Sequence, residues 1–431
     1  MYLTMQAFLF EPMSRDDRQK LALRKWIENG CKGTLVASTG FGKTRVGLNA
    51  IQLILKKYPQ KRVLVIVPTT ALKEQWAGII DQNGLSLNCE VMVVNTAIKQ
   101  YPICDVLILD EVHRFGADTF SHIFKCADYK FVLGLTATFE RVDGKHEILN
   151  KYCPVFDEVS LEEAKFQGWI SDYKEYQILI NVDDYEDYKR INREFQEHFD
   201  FFGFDFNLAQ KCAGPTGWQG QIELRDRMCG SRATPEQKKA TLKAIKYHAA
   251  RFYACLSQRK AFINNHPKKI EIARKIIEAR PFSKIITFSN NIKMAESIGM
   301  GGKVFSGKDS KKKGRTTIEE FSKEPYGLLN TIRKADEGLD VPGLSVAIIL
   351  GLDSSKTRKI QRIGRVARKE GDKQAEIFTI VINNTVETQW FKNSNSSTSV
   401  ITIDEKGLDD LLEGKEPEPY KKKINDFTFR F

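Results

Sequence analysis

Short apolar runs at Thr34–Ser38, Val63–Val67, Val91–Val94, Val106–Leu109 and Phe131–Leu135 punctuate the first 140 residues, and none alternates with polar side chains. A strand with one wet face shows a period of two. Unbroken β-branched and leucine runs belong instead to strands covered on both faces, as in a parallel sheet flanked by helices. Stretches such as Arg45–Lys57 and Ala71–Ile80 lie between them and are long enough for crossover helices. That is the βαβ pattern of a doubly wound sheet. A second series follows late in the chain, at Lys284–Phe288, Gly327–Thr331, Ser345–Leu350 and Glu376–Ile382, with helical stretches Asn291–Ile298 and Thr317–Ser322 between. Two α/β units of similar build are expected.

The segment between them reads differently. From about Asp183 to Pro267 the periodicity is helical, with an acidic start, an aromatic cluster at Phe201, Phe202, Phe204 and Phe206, and a basic run. The expected organisation of the 431 residues is a first domain at 1–170, a second at 171–395 carrying a helical insertion at 183–267, and a C-terminal tail at 396–431. A mobile loop is expected near Gly214–Gly220. The phenylalanines either stack on unpaired bases or anchor a helix to its core.

Charge is unevenly placed. The net charge is +12, and Arg225–Arg280 holds 15 Lys/Arg against 4 Asp/Glu, so nearly all the excess lies in one segment. Concentrated positive charge is the footprint of a phosphate-backbone binder, although a solvated basic face has the same composition. Eight cysteines and six histidines are scattered without a CxxC pair, which argues against a zinc site or disulfide framework and for a reducing interior compartment, the cytoplasm, or a host cytoplasm for a viral chain. The longest apolar stretch, near Leu344–Leu352, is about half the ~20 residues a membrane helix needs. No basic residue precedes the apolar part of MYLTMQAFLF, so no export signal is expected.

The chemistry-bearing residues sit at predicted strand ends. Ala37-Ser38-Thr39-Gly40-Phe41-Gly42-Lys43-Thr44 follows the first strand and opens a helix. Such a turn presents backbone N–H groups to phosphate oxygens, Lys43 neutralises β- and γ-phosphates, and the Thr44 hydroxyl suits Mg²⁺. Asp110-Glu111-Val112-His113 ends the strand Val106–Leu109, 67 residues after Lys43. Strand ends of a parallel sheet share one crevice, so Asp110 can serve Mg²⁺ while Glu111 polarises an attacking water.

Together these strings resemble the superfamily 2 helicases and translocases. DEVH and Thr136-Ala137-Thr138 look like that superfamily's second and third motifs, and ASTGFGKT its version of the phosphate cradle. Gln19, 24 residues before Lys43, stands where the family reads adenine. Pro68-Thr69-Thr70 with Leu72, Gln75 and Trp76 resembles motif Ia, and Asn95-Thr96 a further strand-contacting element. Later, Ile286-Thr287-Phe288-Ser289 is similar to motif IV, Ala335-Asp336-Glu337-Gly338-Leu339-Asp340 to motif V, and Gln361-Arg362-Ile363-Gly364-Arg365-Val366-Ala367-Arg368 to motif VI.

The resemblance implies two RecA-like domains with ATP and Mg²⁺ in the cleft. It implies nucleotide contacts from Gln19, Thr39, Gly40, Gly42, Gly338, Asp340 and Gln361, and arginine fingers from Arg365 and Arg368. It also implies strand contacts from Thr69, Gln75, Thr96, Thr287, Ser289 and Thr331, and a coupling role for His113, Thr136 and Thr138. The strings Gly134–Arg141, Asp143-Gly144 and Gly168-Trp169-Ile170 look most like the XPB and bacteriophage UvsW branch. The expected protein is a monomeric DNA motor acting on single strands, forks or junctions, with a protein partner accommodated by the C-terminal tail. An RNA helicase and an ATP-gated clamp remain the alternatives.

Overall fold

The computed structural model describes residues 10–139, 144–214, 216–305, 311–332, 341–352, 362–367, 369, 374–394 and 400–420. Two parallel sheets organise them. The first comprises β1 (Lys32–Ala37), β2 (Val63–Val67), β3 (Cys89–Val93), β4 (Val106–Asp110), β5 (Phe131–Thr136) and β6 (Val155–Val159), in the order β3-β2-β4-β5-β1-β6. The second comprises β7 (Tyr173–Ile180), β8 (Lys284–Ser289), β9 (Lys303–Phe305), β10 (Gly327–Ile332), β11 (Val346–Ile349), β12 (Ala375–Ile382) and β13 (Val400–Asp404), in the order β13-β7-β12-β11-β8-β10-β9. β2 and β4 are buried at every residue, as their unbroken apolar runs require.

Among the helices on the first sheet are α1 (Arg15–Glu28), α2 (Lys43–Lys57) and α3 (Thr70–Gln82). The Ser14 side chain caps α1 by accepting from Asp17 N. α1 is fastened by Arg18, whose guanidinium donates to Asp157 at 2.6 Å and to Glu163 at 2.8 Å in a buried network. Gln19 is thereby held over the start of α2.

The fold departs from expectation at several points. β7 went unrecognised because Lys174, Glu175 and Gln177 interrupt its apolar pattern, yet it pairs with β12 along eight residues and with β13 on its other side. The helical segment therefore interrupts the second sheet between β7 and β8. The expected tail from 396 onward is also revised, since Val400–Asp404 is an outer strand of that sheet and Leu408, in the helix Glu405–Leu412, is fully buried.

The insertion is a helical body with its own core. It contains α4 (Tyr185–Asp200), α5 (Phe206–Ala213), α6 (Gly217–Cys229) and the 31-residue α7 (Pro235–Asn265). Phe195, Phe202, Cys212, Leu224, Ile245, Phe252 and Cys255 pack together inside it. Phe202 is buried in this core and Phe201 stacks on His248 with ring centroids 4.0 Å apart, while Phe204 and Phe206 remain 55% and 42% exposed, so the first two members anchor the helix. The loop expected at Gly214–Gly220 is instead largely the start of α6. A β-carbon at Gly217 or Gly220 would strike the carbonyls of Cys212 and Lys211, so glycine there permits close packing of α5 on α6.

The insertion is rooted at its two ends. His266 Nε2 pairs with Asp184 Oδ1 at 3.0 Å, Tyr185 donates its hydroxyl to Asn384 O, and the Tyr188 hydroxyl accepts from Val386 N. Behind this root, α8 (Pro267–Glu278) carries Lys269, which is wholly buried and donates to Glu387 Oε1 and to Leu350 O. Burial pushes the Lys269 ammonium down and the Glu387 carboxyl up from their ordinary values. Removing one member of such a pair strands the other's charge. Lys269→Met should therefore lower stability by about 3–5 kcal/mol in denaturant unfolding, and Lys269→Met with Glu387→Gln should recover most of the loss.

Candidate active site

The cradle forms where β1 runs into α2. Gly40 and Gly42 both have φ of +90°, a region costly for side-chain-bearing residues. Space closes the choice further: a β-carbon at Gly42 would meet the Gln19 amide, and one at Gly40 the Ile170 side chain. Gln19 Nε2 donates to Phe41 O at 2.7 Å, tying α1 to the turn. Lys43 Nζ donates to Ala37 O at 3.0 Å, which keeps the ammonium inside the cradle. Thr39 and Thr44 are half-buried beside it. The N-terminus of α2 brings its backbone N–H groups and positive dipole end to the same turn.

Two carboxylates face this turn from the end of β4. Asp110 accepts from the Trp76 indole at 2.8 Å and from Glu111 N at 3.0 Å. Burial, and then the charge of Glu111, push the Asp110 carboxyl up to about 6. Burial also opposes charge on Glu111. The hydrogen bond and charge of His113, then Lys43 and Arg365, outweigh it and hold Glu111 below the usual carboxylate range. Glu111 itself has φ of +52°, which turns the chain sharply from β4 into the single turn Val112–Gly116. Strain of that kind costs of order 1–3 kcal/mol and is tolerated where the surroundings over-determine it.

His113 links these groups to the third motif. Its Nδ1 lies 2.9 Å from Thr136 Oγ1 and 3.4 Å from Glu111 Oε2. Thr136 donates its hydroxyl to Thr138 O at 2.7 Å and so accepts from His113, which places the imidazole proton on Nδ1.

The second lobe closes the cleft. A β-carbon at Gly364 would overlap the Thr39 side chain, so the backbone of residues 362–366 rests directly on the cradle. Ser171 N donates to Ala367 O at 2.8 Å and Lys369 Nζ to Gly168 O at 2.7 Å across the same seam. Arg365 thereby reaches the field of Glu111. Gly364 had no role in the sequence reading, because the need for a bare backbone there exists only once the two lobes meet.

The remaining expected residues divide three ways. Gln75 and Thr96 are exposed on the first domain, while Thr69 caps α3 by accepting from Leu72 N. Thr287, Ser289 and Thr331 are fully buried, a correction to the expectation that they grip a strand. Thr287 donates to Asn330 Oδ1 and Thr331 to Thr287 O, so both hydroxyls are used within the sheet. Gly338, Asp340, Gln361 and Arg368 lie outside the described residues, as do residues 421–431 of the expected tail. All eight cysteines are free. Among the described residues no His/Cys/Asp/Glu group suits a metal cluster, and no helix is long and apolar enough to cross a membrane.

Comparison with known proteins agrees with this geometry. The family model described as "Type III restriction enzyme, res subunit" matches residues 13–100 and 95–141, and "Helicase conserved C-terminal domain" matches 268–370; together they span more than half of the chain. The chain belongs to the superfamily 2 helicases. DNA 3'-5' translocase XPB2 of Sulfurisphaera tokodaii is 27% identical over 393 residues, covering 86% of this chain and 82% of that protein. A protein of Acanthamoeba polyphaga mimivirus, named as a putative ATP-dependent RNA helicase, is 23% identical and matches 86% of this chain but only 64% of its own length. The archaeal relative supports the XPB side of the expected branch.

Solved structures agree on the fold. The Pyrococcus furiosus Hef helicase domain superposes with a TM-score of 0.51 at 17% identity, covering 88% of this helicase and 97% of that chain. Dbp5 of S. cerevisiae, bound to RNA and ADP BeF3, superposes at 0.56 with 12% identity over 92% and 91%. As a superfamily 2 helicase the chain couples ATP use to movement on nucleic acid.

The raised Asp110 carboxyl gives a pH signature. Its folded value of about 6 exceeds the ordinary 3.8, so the fold favours the protonated form and loses that preference as pH rises through about 6. Asp110→Asn should accordingly gain stability over wild type at pH 8 by up to about 3 kcal/mol, with the gain fading towards pH 4. Thermal unfolding across that range, without nucleotide, measures it.

Proposed function

We propose that the chain is an ATP- and Mg²⁺-dependent DNA motor that unwinds or branch-migrates forked or junction DNA in replication, recombination or repair, working as a monomer in the cytoplasm. The observation that carries the reading is the seating of Gly364 on Thr39, which brings Arg365 into the field of Glu111. Lys43 and the N–H groups opening α2 are placed to hold β- and γ-phosphates, with Gln19 at the nucleotide's edge. Thr44 and Asp110 are the residues that would hold Mg²⁺. The raised Asp110 carboxyl fits this assignment, because a buried carboxylate beside a second, partly buried one is relieved by a cation, which when bound neutralises phosphate charge. Glu111, kept ionised by His113, Lys43 and Arg365, accepts the proton of the attacking water. Arg365 offsets charge that develops on the transferred phosphoryl group, with Arg368 as the second expected finger.

α7 supplies the grip on DNA in this reading. Lys239, Lys243, Lys246 and Lys260 share its exposed side with Tyr247 and Tyr253, which are 57% and 56% exposed. At 1.5 Å per residue this stripe is about 30 Å long, enough to follow about nine base pairs. Names of relatives that act on DNA support the polymer assigned here, whereas the mimivirus relative's name supports RNA as the second reading.

Matched DNA and RNA strands, duplexes and four-way junctions should separate the two in an ATPase comparison. Stimulation by junction DNA above single strands is expected, and activation by RNA alone would overturn the assignment. Lys43→Ala, Glu111→Gln and Arg365→Ala should each reduce kcat by about 10²–10⁵-fold while nucleic-acid affinity persists. Replacing Lys239, Lys243 and Lys246 together by Ala should weaken duplex binding and lower the log–log salt slope by roughly 2–3.

A further inference from the structure

Asn264-Asn265 closes α7, and Asn290-Asn291 follows β8. In the fold these two dipeptides meet side by side. Asn290 Nδ2 donates to Asn264 Oδ1, and Asn291 Nδ2 donates to Asn265 Oδ1 at 2.5 Å. They form a carboxamide seam between the last turn of the insertion's long helix and the corner where β8 ends.

The same corner seats the motif that reaches the nucleotide cleft. A β-carbon at Gly351 would collide with the Asn290 amide, so Asn290 lies against the Gly351 backbone. Leu350 N and Gly351 N both donate to Phe288 O at 3.0 Å, fixing that backbone to β8. Gly351 O in turn accepts from Arg362 Nη1 at 2.8 Å, and the Arg362 guanidinium stands 4.9 Å from the Phe288 ring centroid. Arg362 is only 3% exposed. Arg365 follows three residues later on the same helical turn, and its charge helps to lower the Glu111 carboxyl. A continuous set of packed and hydrogen-bonded groups thus joins α7 to the arginine that completes the cleft.

The attachment of the insertion gives this seam a mechanical meaning. Asp184–His266, Tyr185–Asn384 and Tyr188–Val386 pin its root on one side, and the Asn pairs form the contact on the other. A helix of 31 residues is about 46 Å long, so a load on its exposed stripe becomes a small displacement at its base. Directional amide hydrogen bonds respond to such a displacement by breaking or re-forming rather than stretching.

We infer that Asn264 and Asn290 are positioning residues that couple a duplex held on α7 to the placement of Arg365, so that engagement of the insertion accelerates hydrolysis. This rests on the reading of α7 as the duplex-holding element. Asn264 supplies the acceptor, which Asp retains and Leu or Ala does not.

Steady-state ATPase of the full chain, with and without a DNA duplex or four-way junction, tests it. Asn264→Leu should lose about tenfold of the stimulated kcat while the basal rate, the KM for ATP and duplex affinity stay at wild-type values. Asn264→Asp should restore stimulation, and Asn264→Ala should repeat the loss without added bulk. Full stimulation in the Leu and Ala variants, or an equal loss of basal and stimulated rates, overturns the coupling. A wild-type chain that binds no duplex, or is stimulated by none, removes the reading of α7 and the coupling with it. Failure of the seam alone is recognised because wild type then binds and responds.

Discussion

Two carboxylates lie next to each other at the end of β4, Asp110 buried and Glu111 partly so, and most of the architecture around the cleft answers that arrangement. Glu111 stays ionised because positive or proton-donating groups reach it from separate parts of the chain: His113 from the following turn, Lys43 from the cradle, Arg365 from the other lobe. Asp110 accepts the Trp76 indole N–H and its own neighbour's amide, and still carries a carboxyl pushed up to about 6. A buried carboxylate with a second one beside it is unfavourable to the folded chain by itself. Under the proposed function a cation and a phosphate chain would relieve that cost, so that a penalty at rest becomes preference for the loaded state.

Lobe closure depends on a similarly local condition. The second lobe reaches the cradle with bare backbone at Gly364, and anything larger would hold Arg365 away from Glu111. A hydrolytic centre assembled from two bodies responds to whatever sets their relative placement. The proposed coupling draws on how the insertion is attached: it has an independent core, a root stapled at several points to the second sheet, and an end that touches the corner beneath Arg362.

Much of the first domain was legible because its strands are covered on both faces, so burial is written into them as uninterrupted apolar runs. The cradle and the β4 carboxylates were legible for a related reason, since parallel strands point their carboxyl ends to one crevice and a motif at a strand end has only one place to go. β7 was not legible. Its Lys174, Glu175 and Gln177 break the pattern, and its strand character comes from partners more than 190 residues downstream, in β12 and β13. Thr287 and Thr331 also departed from expectation: the family resemblance implied contact with a nucleic-acid strand, but each hydroxyl has an acceptor inside the sheet.

What the chain's order of residues determined alone is the chemistry available: a glycine turn with Lys43 and Thr44, a carboxylate pair, paired arginines and a concentrated basic segment, each tied to local backbone preference or composition. What only the tertiary structure decided is which of these meet. The contact of Gly364 with Thr39, the reach of Arg365 to Glu111 and the asparagine seam at the foot of α7 join residues distant in sequence. Such contacts arise from the packing of two sheets and an insertion against one another, and no local propensity encodes them.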